Sequence, residues 1–518
     1  MTKTRLFINS FSGTLLFLAN VGITFFLSPI IVRQLGNLNY GIWDILLSLC
    51  GYLGLLEVGI GPAIIRYVAR ADAFSDKQEI NRILTNAFIS LSVLSLFSFL
   101  VLIFIAQYPK IIFNISVTEI PFLPLLCLLA GLNLMIQFPG TVLVAYLMGL
   151  QLHSTVNFVR LILAVISGIV TYWALLTRAD AGLLWLSLIL LLSNLTQYLF
   201  FFIQVKKILG RIDLNNHLFS WKTTKDLYLF GGKSFLIMLA DRIQRLSIPF
   251  IIGHLLGVSL IVFFAIPARL FEYALNLINV IGFPLNSFFS AIEAKRGPEE
   301  IRTAWRNTNR LLLIFILWLV GNLGLLGYDF IKIWMGVQYA EGGKWIIILL
   351  TFSLLANGLT SNASRLLVAL DKHGRPALYL VFISIVTFGM SLFLGRWWGL
   401  PGIAFSVLLS SIAGFIICWK KASDHLRISA FPALGDLIRP AAIPLLLLCL
   451  TLTGLNHLHA PLTYLPLFIN AGLGSLLYFG TAIFWVLLPE ERNDLWSRIK
   501  VQGTSIKEMF LNGRGNRR

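Results

Sequence analysis

Charged side chains are few in this chain: Asp, Glu, Lys and Arg make up only 12% of its 518 residues. An ordinary soluble domain carries about twice that share, so a single water-exposed globule is excluded. Cysteine is scarce too. The four present, Cys50, Cys127, Cys418 and Cys449, form no CxxC pair and have no histidine at ligand spacing, which argues against disulfides and metal sites. Each falls in an apolar run and reads as a small packing residue. The seven histidines lie mostly in loops or at the ends of apolar runs and read as solvated. Long hydrophilic segments are missing as well. On one side of the apolar runs no gap exceeds roughly 17 residues, too little for the loop or domain that a membrane glycan polymerase or ligase needs, so no enzyme is expected. On the other side the connections 66–82, 206–227, 283–306, 420–439 and the tail from Pro489 are too short for an independent domain. No cleavable signal peptide is expected, because the first apolar stretch is long and lacks a small-residue cleavage site.

What fills the chain is hydrophobic, at 57% of residues and a mean hydropathy of +0.83. Stretches of about 20 apolar residues suffice to cross a bilayer. About fourteen can be drawn, near 11–32, 41–65, 83–106, 121–147, 157–177, 182–205, 228–251, 257–282, 307–328, 345–368, 376–396, 400–419, 440–457 and 463–488. The cations alternate between the gaps. With a cytoplasmic N-terminus, only Arg33, Lys110, Arg178, Lys332, Lys344 and Arg396 fall outside, about one for every five inside. Both termini are therefore expected in the cytoplasm. The net charge of +18 is dispersed over short loops facing one leaflet, which points to anionic headgroups of the phospholipid bilayer and away from nucleic acid.

The two halves echo each other. Pro29-Ile30-Ile31-Val32 followed by Leu35-Gly36 is matched by Pro249-Phe250-Ile251-Ile252 followed by Leu256-Gly257. Gly59-Ile60-Gly61-Pro62 pairs with Gly282-Phe283-Pro284, and Asn81-Arg82 with Asn309-Arg310, at separations of about 220 to 228 residues. The pattern predicts an all-α polytopic membrane protein: two six-helix lobes related by a pseudo-two-fold, plus two extra C-terminal helices. The expected organisation is an N-terminal lobe over 1–205, a cytoplasmic linker over 206–227, a C-terminal lobe over 228–421, two additional helices over 422–488 and a basic cytoplasmic tail over 489–518. Internal repetition of this kind is a transporter signature, with substrate bound between repeats near the midplane.

Ionisable residues inside apolar spans cost several kcal/mol each, about 2.5–3.5 on an insertion scale, and so must face protein or a wet cavity. Here they are Glu57, Lys233, Asp241, Arg242, Arg245, Arg269, Glu272 and Arg365, with Asp44 near a span end. Arg269, Glu272, Asn276, Asn279 and Asn286 follow one another at 3, 4, 3 and 7 residues, which puts them within an arc of roughly 100° on one helix face. The alternative is an Arg269–Glu272 pair at i, i+3 that only neutralises itself. Lys233, Asp241, Gln244 and Arg245 share a second face, where Asp241 either pairs with Arg245 or serves as a protonation or cation site. Arg242 and Arg245 have a further alternative, snorkelling to an interface. The surplus of cations suits an anionic phosphate or diphosphate. Prolines and glycines, among them Pro29, Pro62, Pro249 and Pro267 and the run Gly51, Gly54, Gly59 and Gly61, allow kinks and close helix approach. Trp43 and five other tryptophans near span ends fit an aromatic belt.

The stretch Leu35-Gly36-Asn37-Leu38-Asn39-Tyr40-Gly41-Ile42-Trp43, then Gly54-Leu55-Leu56-Glu57-Val58-Gly59-Ile60-Gly61, resembles the polysaccharide transporter branch of the multidrug/oligosaccharidyl-lipid/polysaccharide flippase superfamily. Ile333-Trp334-Met335-Gly336-Val337-Gln338-Tyr339-Ala340 is similar to that branch as well. The resemblance implies a flippase carrying an undecaprenyl-diphosphate-linked oligosaccharide from the cytoplasmic to the periplasmic leaflet of the bacterial inner membrane by alternating access, driven by an ion gradient. It implies H+ or Na+ as coupling ion, a monomer, no cofactor, and the polysaccharide polymerase and chain-length machinery as partners. Arg269-Leu270-Phe271-Glu272 is similar to an Arg-Leu-Met-Glu-like sequence of the related lipid II flippases, which carries over Arg269 as a headgroup ligand. Asp44 lies close to an acidic residue of that family. The substrate-binding set is thus Arg269, Lys233, Arg245, Arg242, Arg365, Glu272, Asn276 and Asn279, with Asp241, Glu57 and Asp44 as ion-coupling candidates. Span one carries no charge between Arg5 and Arg33, where lipid II flippases place an Arg, which argues against lipid II. The alternatives are that lipid II flippase and a MATE-type cation-coupled multidrug antiporter.

Overall fold

The computed structural model describes residues 3–57, 59–108, 121–210, 218–295, 297–370, 372, 374–458, 460–487, 489 and 491–492; within these, the side chains of 3–7, 179, 231–238, 241, 294, 295, 298 and 375 fall outside the description. The described residues contain fourteen α-helices and no strand. In chain order these are α1 (Lys3–Leu53), α2 (Ile60–Ala73), α3 (Lys77–Gln107), α4 (Leu123–Gly149), α5 (His153–Thr177), α6 (Gly182–Leu209) and α7 (Trp221–Leu255). They continue as α8 (Ile261–Gly282), α9 (Leu285–Lys295), α10 (Pro298–Trp334), α11 (Val337–Ala369), α12 (Gly374–Leu426), α13 (Ala430–Leu458) and α14 (Tyr464–Trp485).

Among the described residues, eleven segments are long and apolar enough to cross a membrane. Two of them, of 50 and 51 residues, are about 75 Å long at 1.5 Å per residue, more than twice the hydrocarbon thickness. Each is kinked at one non-helical glycine, Gly36 (φ 72°) in α1 and Gly399 (φ 64°) in α12, and each has the length for two crossings. α7, with 35 residues, is long enough to cross but carries too many charges to count among the eleven. Side chains such as Phe26, Trp173, Phe382 and Leu476 are each more than 60% exposed on the helices, as a lipid-facing surface requires. This is a multi-pass all-α membrane protein.

The echoed Leu-Gly pairs share a backbone conformation: Gly36 follows Leu35 at φ 72° and Gly257 follows Leu256 at φ 107°, both in the region that favours glycine. Two expected spans are interrupted. The second, expected over 41–65, stops at Leu53, passes through a 3-10 turn at Gly54–Glu57 and restarts at Ile60 after Gly59 in a left-handed conformation. The eighth ends at Gly282, and Pro284 begins a new direction into α9, so Asn286 leaves the helix carrying the other four polar residues.

By internal contacts the chain divides into two compact units, residues 1–266 with 377–410, and residues 267–376 with 411–518. In the first, Asn86 is fully buried and ties the start of α7 to α3. Its Oδ1 accepts from the Ser220 N–H at 2.8 Å and the Thr224 hydroxyl at 3.1 Å, while its Nδ2 donates to the Leu218 and Arg82 carbonyls. Asn9 in α1 clasps the α4–α5 turn, donating to the Gln151 carbonyl and accepting from the Ser154 N–H. In the second unit, the last two helices pack on α10. Trp318 donates to Ser475 at 2.7 Å and Tyr478 to the Ile314 carbonyl at 2.8 Å, and Arg310 pairs with Glu491 at 2.8 Å.

Candidate substrate site

In the first unit the interruption at 54–59 opens a cavity of about 350 Å³. A helix broken in apolar surroundings frees backbone groups that continuous helix would satisfy, so such breaks persist where protein or a wet cavity receives them. Glu57, at the end of the 3-10 turn, lines the cavity together with Gly54, Gly59 and Gly61. Its carboxylate lies within hydrogen-bonding reach of the Thr141 hydroxyl and in the field of Arg242, which lines the same cavity from α7. Opposite walls are polar without being charged. Asn133 and Gln137 stand one turn apart on α4, and Asn194 on α6 donates to the Asn133 side-chain oxygen at 2.8 Å.

Of the remaining expected residues in this unit, Asp44 is half-buried on α1 and Arg245 is exposed on α7. The Lys233 and Asp241 side chains lie outside the described residues.

In the second unit a polar seam follows α11. Asn357 donates to Ser411 at 2.8 Å, Ser361 to the Asn279 side-chain oxygen at 2.9 Å, and Asn362 to the Asn309 side-chain oxygen at 2.9 Å. Arg365 closes the seam. It is 9% exposed, donates from Nη2 to the Asn279 side-chain oxygen at 3.1 Å, and approaches the Asn279 carbonyl at 3.5 Å. Its Nη1 is buried without a hydrogen-bond partner among the described residues. The guanidinium lies against Gly282, where a Cβ would collide with it, so glycine at the end of α8 is what lets the cation approach the helix break. Arg269 and Glu272 are half-buried on α8, Asn279 is half-buried and Asn276 exposed.

The sequence brought Glu57 and Arg242 to attention as separate charges; the fold puts them in one cavity. It also brings Arg365 and Asn279 together. Five polar or aromatic lining residues were missed: Trp43, Asn133, Gln137, Ser187 and Asn194. Trp43 had been explained by an aromatic belt, and Cys50, expected as a packing residue, also lines the cavity. A signal for two of them exists in the sequence, since amides at i, i+4 in an apolar run share a helix face.

A family model for polysaccharide biosynthesis proteins matches residues 6–285, more than half of the chain. The chain belongs to the polysaccharide biosynthesis protein family. A Shigella flexneri protein described as a "Putative O-antigen transporter" is 26% identical over 388 residues, covering 73% of this chain and 88% of its own length. The solved structure of the lipid II flippase MurJ in an inward closed conformation matches with a TM-score of 0.71 and 14% identity over 92% of this chain and 98% of its own. An inward-facing multidrug resistance MATE transporter of the MOP superfamily matches with a TM-score of 0.61 and 16% identity over 80% and 94%. At such identities the likeness is one of fold. This member of the polysaccharide biosynthesis family is thus a multi-pass membrane protein with the fold of the MOP-superfamily transporters.

Proposed function

We propose that this protein is a flippase that moves an undecaprenyl-diphosphate-linked oligosaccharide, an O-antigen or exopolysaccharide repeat unit, from the cytoplasmic to the periplasmic leaflet of the bacterial inner membrane by alternating access. The observation that carries the reading is Arg365. Burying a guanidinium is costly unless its charge and donors are met, yet among the described residues Arg365 has only the oxygens of Asn279 and leaves Nη1 unpaired. An anionic diphosphate meets both needs, because a guanidinium binds phosphate oxygens through parallel N–H donors. The same chemistry extends to Arg242, Arg245, Arg269 and Lys233, with Glu272, Asn276 and Asn279 as polar neighbours.

Glu57 is the first candidate for coupling to an H+ or Na+ gradient, because it is the carboxylate at a helix break; Asp44 and Asp241 are the others. The breaks at 54–59 and 282–284 supply points of bending. Both termini lie in the cytoplasm, the chain works as a monomer in two lobes, and it meets the polymerase and chain-length machinery of the envelope. The MATE-like fold keeps a cationic-drug antiporter as the second reading, with Glu57 as its acidic group.

The test is complementation of a bacterium lacking its own repeat-unit flippase, at matched membrane expression. Wild type and a Leu392→Ala control restore surface polysaccharide, and Arg365→Ala and Arg269→Ala do not. Drug resistance conferred by wild type without restored polysaccharide would replace this reading with the antiporter.

A further inference from the structure

The cavity of the first unit contains hydrogen-bonding groups that moving a diphosphate does not use. Asn133 is 6% exposed and Ser187 is 5% exposed, yet both line it. Ser187 Oγ has no hydrogen-bond partner among the described residues, although a serine in a helix readily finds its own backbone. Gln137 and Asn194 add further amides, and Trp43 adds a broad apolar ring. A lipid tail in this space would leave Ser187 Oγ unmet, together with the amide positions that Asn133 and Asn194 do not use on each other, at the cost of buried unsatisfied polar groups. An organic cation would meet Arg242 on the wall, whose charge offsets that of Glu57.

We infer that this cavity is a glycan subsite taking one pyranose ring of the lipid-linked substrate, an inference that rests on the flippase reading and names which part of the substrate the first unit holds. The chemistry matches group by group. An amide presents an acceptor and two donors side by side, and a sugar hydroxyl both donates and accepts, so neighbouring hydroxyls suit Asn133, Gln137 and Asn194. Ser187 gains the partner it lacks. The C–H face of a pyranose packs on an indole, the part Trp43 plays. A volume of about 350 Å³ is at the small end of ligand pockets and accommodates a ring in preference to an extended oligosaccharide. Arg242 supplies a cation to a phosphate attached to that ring.

Binding of short-chain probes to the full-length protein in nanodiscs tests this: farnesyl diphosphate alone, and farnesyl diphosphate bearing a single glucose, galactose, N-acetylglucosamine or N-acetylgalactosamine. At least one glycosylated probe binds about 10-fold or more tighter than the bare diphosphate. The double substitution Asn133→Leu with Asn194→Leu removes both partners of one hydrogen bond, the nearly neutral way to delete it. It abolishes the increment and leaves affinity for the bare probe within about twofold. Ser187→Ala, the smallest change, reduces the increment in part, and an unchanged thermal midpoint keeps either result from being unfolding. Equal affinity for all probes, or equal losses on bare and glycosylated probes in the variants, overturns the subsite while the flippase reading stands. Failure of wild type to bind any probe, with binding of tetraphenylphosphonium lost in the double variant, overturns both.

Discussion

The two polar regions are built from similar residue types and are used differently. The seam along α11 is largely filled: its asparagines and serines hydrogen-bond one another, and among the described residues Asn362 Oδ1 and Arg365 Nη1 are left without partners. The cavity beside the 54–59 break is open, with amides, a carboxylate and a guanidinium around about 350 Å³. A filled network rigidifies the helices it joins, whereas an open one waits for a ligand. The contrast separates the residues that should control folding from those that should control transport.

The largest effect is expected at the point where both roles meet. Arg365→Ala should lower polysaccharide export at least about 100-fold in the complementation assay, and Arg365→Lys about 10-fold, because lysine keeps the charge and loses the planar fork. Equal activity of alanine and wild type would reduce Arg365 to packing. Next is Glu57→Gln, nearly isosteric with the glutamate. Gradient-driven transport should fall about 10-fold or more, since a hydrogen bond to a charged group is worth about 1.5–3 kcal/mol, with thermal stability in detergent unchanged; gradient dependence that persists would move coupling to Asp44 or Asp241.

The filled seam should respond in stability. Asn362→Leu leaves Asn309 without its side-chain donor and is expected to cost about 1–3 kcal/mol, read as a lower midpoint in thermal unfolding. Gly59→Ala forces a side chain into φ 61° and should cost about 1–2 kcal/mol on the cavity side. The smallest change is Glu299→Ala, which breaks a pair with Arg302 in which the glutamate is 79% exposed and should shift stability by less than about 1 kcal/mol. A midpoint drop for Glu299→Ala exceeding that of Asn362→Leu would dissolve the distinction between filled and open regions.

Much of the fold could be read from the sequence because the bilayer imposes length and polarity on every span. The apolar runs follow from that constraint; the Leu-Gly echoes at 35–36 and 256–257 are a separate signal, and the echoed glycines adopt related conformations. The interruption at 54–59 was legible only as a glycine run, because glycine serves close packing and helix breaking alike. Charges such as Arg365 and Glu57 announce themselves by their cost in lipid. Asn133, Gln137, Asn194 and Ser187 do not, since uncharged polar groups in membrane helices often satisfy one another or their own backbone, and only three-dimensional convergence marks them. Asn279 was seen as part of a stripe on one helix; its bond to Arg365, 86 positions away, required the fold.

The central claim is that a lipid-linked diphosphate crosses the membrane through this protein, and reconstitution tests it most directly. Proteoliposomes containing the full chain are loaded with a fluorescent undecaprenyl-diphosphate-linked oligosaccharide, and its exposure in the outer leaflet is followed by a membrane-impermeant lectin with and without a Na+ or H+ gradient. The account predicts rapid gradient-stimulated exposure with wild type and near-background exposure with Arg365→Ala. Exposure by wild type no faster than in protein-free liposomes, under conditions where the same preparation transports an organic cation, would contradict it.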